Sequence, residues 1–200
     1  MRCLNEHLAR RANEEDGCRG RFWEGRFKSQ ALLDEAAVLT CMSYVDLNPV
    51  RASIAEIPEA SDFTSIQQRI QAYHATKQPT EKLTQPTNGI PLMPLLKQRK
   101  GAHPNAIGYT TRDYLELVDW AGRAVREHKN GVIPSDIPPI LTRLGIEPSR
   151  YLEHMAGKGL LEQPLVIGRF DQIRQLAKQV GRCFIKGLGE ARRLYRPLAV

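Results

Sequence analysis

The chain has 200 residues, of which 42% are hydrophobic and 26% charged, ordinary values for a soluble globular protein. A net charge of +7 with a pI of about 9.4 permits a polyanionic partner. No apolar run approaches the roughly 18 residues of a bilayer span, and MRCLNEHLARRANEEDG lacks the apolar centre of a secretory signal.

Cys3, Cys18, Cys41 and Cys183 form no CxxC pair and stand at no zinc-finger spacing with a histidine. Reduced thiols in a cytoplasmic protein with no membrane partner are expected. His7, His74, His103, His128 and His154 share no short motif.

In chain order, Arg2 to Ala12 is expected as an amphipathic helix, and Gly17 and Gly20 as turn residues. RFWEGRFKSQALL interleaves Phe22, Trp23 and Phe27 with Arg21, Arg26 and Lys28, and its second half, Gly25 to Leu33, suits a strand. Rings among cations stack bases and pair phosphates. They equally form a core cluster with a solvated basic edge.

Asp34 is a good N-cap, and Glu35 suits the positive end of a helix dipole. Val38, Cys41/Met42 and Val45 follow at helical steps and predict a buried stripe. Tyr44 and Asn48 lie beside that stripe, four residues apart and so on one face. Pro49 is expected to end the helix and leave the Asn48 carboxamide free. Thr64 with Gln67 fits a capping box for a helix to Ala75, Asp62 being an alternative cap.

Residues 76–110 carry Pro79, Pro86, Pro91, Pro94 and Pro104 and read as a linker, with PLMPLL apolar enough to dock. Thr111 to Lys129 is a helix with Leu115, Val118 and Val125 on one stripe, stopped by Asn130-Gly131. Ser135 and Pro138-Pro139 open a short helix ending at Gly145, and Pro148 opens another through Met155. This pair has the outline of a helix-turn-helix, but Glu147 and Pro148 crowd the second helix, which favours a plain helical corner. Arg169 to Cys183 is a basic helix with Phe170, Ile173, Leu176/Ala177 and Val180 inward. From Gly168 to Val200 there are eight Lys/Arg against Asp171 and Glu190, so the basicity is local.

GRFWEGRFKSQALL, with Tyr44-Val45-Asp46-Leu47-Asn48-Pro49-Val50-Arg51-Ala52, resembles the single-tyrosine transposases of the His-hydrophobic-His endonuclease superfamily. The likeness is to the transposase-like proteins associated with bacterial repetitive extragenic sequences, and covers about Arg10 to Tyr73. It implies an α+β ferredoxin-like catalytic domain, of which residues 1–75 would be the C-terminal part. A linker at 76–110 and a small helical, basic domain at 111–200 would follow, so that the chain is mainly α with a short β remnant.

The resemblance implies that Tyr44 attacks a phosphodiester of single-stranded or hairpin DNA and becomes joined to the 5′ phosphate, freeing a 3′ hydroxyl. A phenol is a weak nucleophile at neutral pH and needs an oriented, charge-neutralised electrophile. In the intact family Mg or Mn supplies this, held by two motif histidines and a residue placed as Asn48 is here. No HxH occurs in this sequence. The chain is therefore expected to be a truncated or impaired copy that binds no metal alone, since one amide oxygen does not hold Mg²⁺. Arg21, Trp23, Arg26, Lys28, Arg51, Arg182, Lys186, Arg192 and Arg193 are the expected DNA contacts. The competing reading is a non-catalytic DNA-binding protein using the basic C-terminal helices. Monomers and dimers both occur in the family, which leaves a homodimer open.

Overall fold

The computed structural model describes residues 1–25, 28–77, 91–96, 106–126, 136–156 and 165–195. The chain packs as two units, Met1–Gln30 and Ala31–Val200. This differs from the expected division at 76–110, because elements on both sides of that segment share one core.

In the first unit, α1 spans Arg2–Glu15, three residues longer than expected. Its end is closed by the Asp16 and Cys18 N–H groups on the Ala12 and Asn13 carbonyls, with Gly17 at φ 62°. No α1 residue is buried. The following segment folds back through Asn13 Nδ2 on the Gly20 carbonyl (3.1 Å) and Trp23 Nε1 on the Asn5 carbonyl (2.9 Å).

The second unit begins with β1 (Ala31–Leu32), then α2 (Glu35–Asp46), α3 (Asn48–Arg51), a 3-10 turn at Pro58–Ala60 and α4 (Ser65–Lys77). After β2 (Leu95–Leu96) and β3 (Ile107–Thr110) come α5 (Thr111–Arg126), α6 (Pro139–Arg143) and α7 (Pro148–Met155). β4 (Val166–Ile167), α8 (Phe170–Gln179) and α9 (Leu188–Leu194) complete it. The protein is mainly helical: among the described residues 59% are helix and 8% strand.

Of the strand expected over Gly25 to Leu33, the described residues form two strand residues, where Ala31 faces Val166 and Leu32 faces Ile167 in parallel; residues 26–27 lie outside the described residues. β2 and β3 form a second, separate parallel pair. A four-stranded antiparallel ferredoxin-like sheet is not formed among the described residues.

β1 and β4 each feed a helix, and one side chain ties the two junctions. Asp34 accepts from the Ala37 N–H at 2.9 Å, capping α2 as expected, and from the Arg169 N–H at 2.6 Å, at the start of α8. Gly168 has no side chain because a Cβ there would come within 2.9 Å of Leu33.

The core centres on α5, whose Tyr114, Leu117, Val118, Ala121 and Val125 are buried, as is Trp120. Leu115, expected on the stripe, is only half-buried. Leu95 of the expected linker is buried beside them, as PLMPLL suggested. The rest of that linker from Gln78 to Ile90 and from Lys97 to Asn105, the Asn130-Gly131 stop and Ser135 lie outside the described residues. α7 matches its expected span, and Gly145 ends the preceding turn at φ 60°. Tyr151, His154 and Met155 of α7 are buried. The Glu147 N–H donates to the Leu194 carbonyl at 2.8 Å, so the pair is a packed corner.

Candidate functional site

The site is built on α2, and α2 does not bury the stripe expected of it. Ala36, Ala37, Leu39, Thr40, Ser43 and Asp46 are buried, whereas Val45 is 59% exposed and Val38, Cys41 and Met42 are half-buried. Two hydroxyls can sit on the inner face because each satisfies itself locally. Thr40 Oγ1 donates to the Ala36 carbonyl (2.8 Å) and Ser43 Oγ to the Leu39 carbonyl (2.9 Å).

Four buried tyrosines from β3, α5, α7 and the end of α9 bring their hydroxyls to this helix. Tyr109 OH meets Met42 Sδ at 3.0 Å, and Tyr114 OH donates to Asp46 Oδ2 at 2.5 Å. Tyr151 interacts with Ser43 and Tyr195 with Thr40, both pairs falling short of full hydrogen-bond geometry. Burial pushes all four phenols above their ordinary pKa, and for Tyr114 the Asp46 carboxylate adds to the shift.

Asp46 is the buried anchor that sequence reading missed. Its carboxylate also accepts from Ser65 Oγ (2.8 and 3.1 Å) and the Ile66 N–H (3.3 Å), holding the start of α4. The expected Thr64–Gln67 box is half made. The Gln67 N–H reaches Thr64 Oγ1 at 3.5 Å, but its side chain turns to Asp62 Oδ1 and the Glu59 carbonyl.

The outward side of this helix end carries Tyr44, Asn48 and Arg51. α2 ends at Asp46 with Leu47 as its C-cap, as an end before Pro49 was expected, but Asn48 is not left outside a helix: Leu47 is αR, its N–H donates to the Ser43 carbonyl, and a separate one-turn helix, α3, begins at once with Pro49 in its first turn. Proline is tolerated there because that N–H has no helical acceptor. The position is fixed from inside by fully buried Leu47, against which α5 packs closely enough that a Cβ on Gly122 would lie 3.3 Å from it.

The turn of α3 brings Arg51 back over the end of α2. Its guanidinium carbon stands 4.0 Å from the Tyr44 ring centroid, and its Nη2 donates to Asn48 Oδ1. Tyr44 and Arg51 are half-buried, and Asn48 is exposed. One corner therefore holds a phenol, an amide and a permanent cation, groups suited to a phosphodiester. Sequence reading paired Tyr44 with Asn48, but treated Arg51 as a separate contact. Helical spacing of three and seven was the available signal.

The donor set does not fit the divalent metal that the resemblance implies. The Asn48 amide oxygen is bonded to a guanidinium, which takes the place a cation would need, and no group of three or more His, Cys, Asp or Glu among the described residues is placed to hold a metal ion.

The other expected contacts belong to both units. Arg21, Trp23 and Lys28 are exposed in the first unit, Trp23 in edge contact with Phe22 at 4.8 Å, and Arg26 lies outside the described residues. Arg182, Lys186, Arg192 and Arg193 are exposed near the C-terminus. Arg192 lies 4.3 Å over the Phe170 ring, and Arg193 pairs with Glu190 at 3.3 Å. No described helix is long and apolar enough to cross a membrane. The described cysteines are all free thiols. No protein-family model, curated protein or solved structure matches the chain.

Proposed function

We propose that this chain is a transposase-like protein that holds single-stranded or hairpin DNA at the Tyr44–Asn48–Arg51 corner, with strand cleavage impaired. The reading carries with it descent from the ferredoxin-like domain of the single-tyrosine transposases. The observation behind it is the Arg51 guanidinium, which touches the Tyr44 ring and bonds the Asn48 amide at once. A phosphate oxygen drawn to that charge arrives beside the Tyr44 phenol. In the competent reaction the Tyr44 oxygen forms a bond to phosphorus, the bond to the 3′ oxygen breaks, and that oxygen leaves as a hydroxyl. Here the amide oxygen is engaged and the donor set for a metal does not fit, which favours binding without efficient cleavage.

The test pairs binding with nicking, on hairpin-tipped single-stranded DNA in Mn²⁺ buffer. Arg51→Gln is expected to weaken DNA binding several-fold and to flatten its salt dependence. Wild type is expected to form little nicked or tyrosine-linked product. Unchanged affinity in Arg51→Gln sinks the DNA-facing reading. Robust nicking that disappears in Tyr44→Phe overturns the impairment and favours a site completed by a second chain.

A further inference from the structure

We infer that α8 and the turn after it form a second track for single-stranded nucleic acid, in which Arg174, Lys178 and Arg182 take phosphates and Phe184 stacks a base. The inference deepens the proposed function only in its partner class and does not rest on Tyr44 chemistry.

Local structure builds the track. Ile173 and Ala177 bury one side of α8, while Asp171, Arg174 and Lys178 are exposed on the other. Arg174 and Lys178 stand four residues apart, an axial step of about 6 Å. The helix then closes with a Schellman motif. The Gly181 N–H donates to the Lys178 carbonyl (3.1 Å), the Arg182 N–H to the Ala177 carbonyl (2.9 Å), and Gly181 sits at φ 66°. That closure turns the chain out of the helix directly after its last turn, so Arg174 and Lys178 share the helical face and exposed Arg182 follows them in the turn.

Arg174, Lys178 and Arg182 make no ion pair among the described residues, and the acids nearby in sequence are Asp171, at the start of α8, and Glu190, which is on Arg193. Arg174 and Lys178, like charges four apart, oppose the helix slightly, while Lys178 in the last turn also suits the helix dipole. Phe184 follows directly. Buried Ile185 anchors the segment, and the Phe184 ring is left 67% exposed between Arg182 and Lys186. A bare aromatic flanked by cations is the pairing that single-strand binders use. An acidic protein surface would match the charge, but gives no use for the ring.

The test measures fluorescence anisotropy of labelled dT12 with the full chain across a salt series. The combined Arg174→Gln, Lys178→Gln, Arg182→Gln variant is expected to weaken binding and reduce the slope of log K against log salt by about 2, since each single-strand phosphate contact contributes roughly 0.7. Phe184→Ala is expected to lose on the order of tenfold in affinity with an unchanged slope, and Phe184→Tyr to restore it. Arg112→Gln, which removes an exposed cation paired with Glu116 and assigned to neither site, should leave all of these values nearly alone, which separates this track from a general loss of positive charge. U12 in place of dT12 reports whether DNA or RNA is preferred, and tight binding of either, sensitive to Phe184, supports the track. An unchanged slope in the triple variant overturns the proposal. So does Phe184→Ala binding like wild type, or equal binding of heparin and dT12 with neither dependent on Phe184.

Discussion

The two sides of α2 use similar chemistry for opposite ends. Inside, Thr40, Ser43 and Asp46 meet buried tyrosines, and their polar atoms are occupied by the protein itself. Outside, Arg51 joins half-buried Tyr44, whose ring also packs against the core, to exposed Asn48. A phenol enclosed with a partner is a structural part, because exchanging that partner for a ligand would unpack the core. A phenol at a half-exposed corner beside a guanidinium can exchange partners at little cost. The inner face thus holds the helix still, and the outer face has something rigid to be mounted on.

The largest expected effect that separates the two sides is alkaline unfolding. Burial raises the pKa of Tyr109, Tyr114, Tyr151 and Tyr195 in the folded state. Above the unfolded value near 10, the unfolded chain releases these phenolic protons while the folded chain keeps them. The unfolded state then binds fewer protons, so stability falls as pH rises. The contribution is fully present below pH 10 and is lost on the way up through the folded values. Each tyrosine adds a slope of about 1.4 kcal/mol per pH unit in that window. Urea midpoints from pH 8 to 11 should hold steady and then drop steeply. Tyr114→Phe should reduce the slope.

Next in size is Asp46→Ala. It removes the acceptor shared by Tyr114 OH, Ser65 Oγ and the Ile66 N–H. Buried donors left without a partner cost about 1–3 kcal/mol each before relaxation, and relief of carboxylate burial offsets part of this. A net loss of about 2–4 kcal/mol in urea unfolding is expected. A loss below about 1 kcal/mol would mean that Asp46 is not the anchor of this interface.

The inner face was hard to read from sequence for a definite reason. Val38, Cys41/Met42 and Val45 form the more hydrophobic stripe, yet the chain buries Thr40 and Ser43, whose hydroxyls return to carbonyls four residues back. The tyrosines that complete the face lie far along the chain, Tyr114 being 68 residues beyond Asp46. No local pattern reports such partners. Elements set by their own ends were legible: the Asp34 cap, the Pro148 start of α7 and the Gly145 turn all stand where expected. Half of the outer corner was legible too, since Tyr44 and Asn48 share a face by spacing alone. Arg51 was missed as their link because Pro49 was read as a stop, although proline suits a first turn as well as an end.

The smallest effect sharpens the comparison most, because it sets one hydroxyl against another. Tyr114→Phe deletes a single oxygen from the core and leaves Asp46 with one donor fewer, for a loss of about 1–2 kcal/mol. Tyr44→Phe deletes the same oxygen from the corner. It leaves the ring beneath Arg51 in place, so the change in stability should stay within about 0.5 kcal/mol. Paired urea titrations at pH 7 measure both. Equal losses would mean that the Tyr44 hydroxyl is tied into the fold as firmly as that of Tyr114, and would remove the reason for regarding the corner as a surface for DNA.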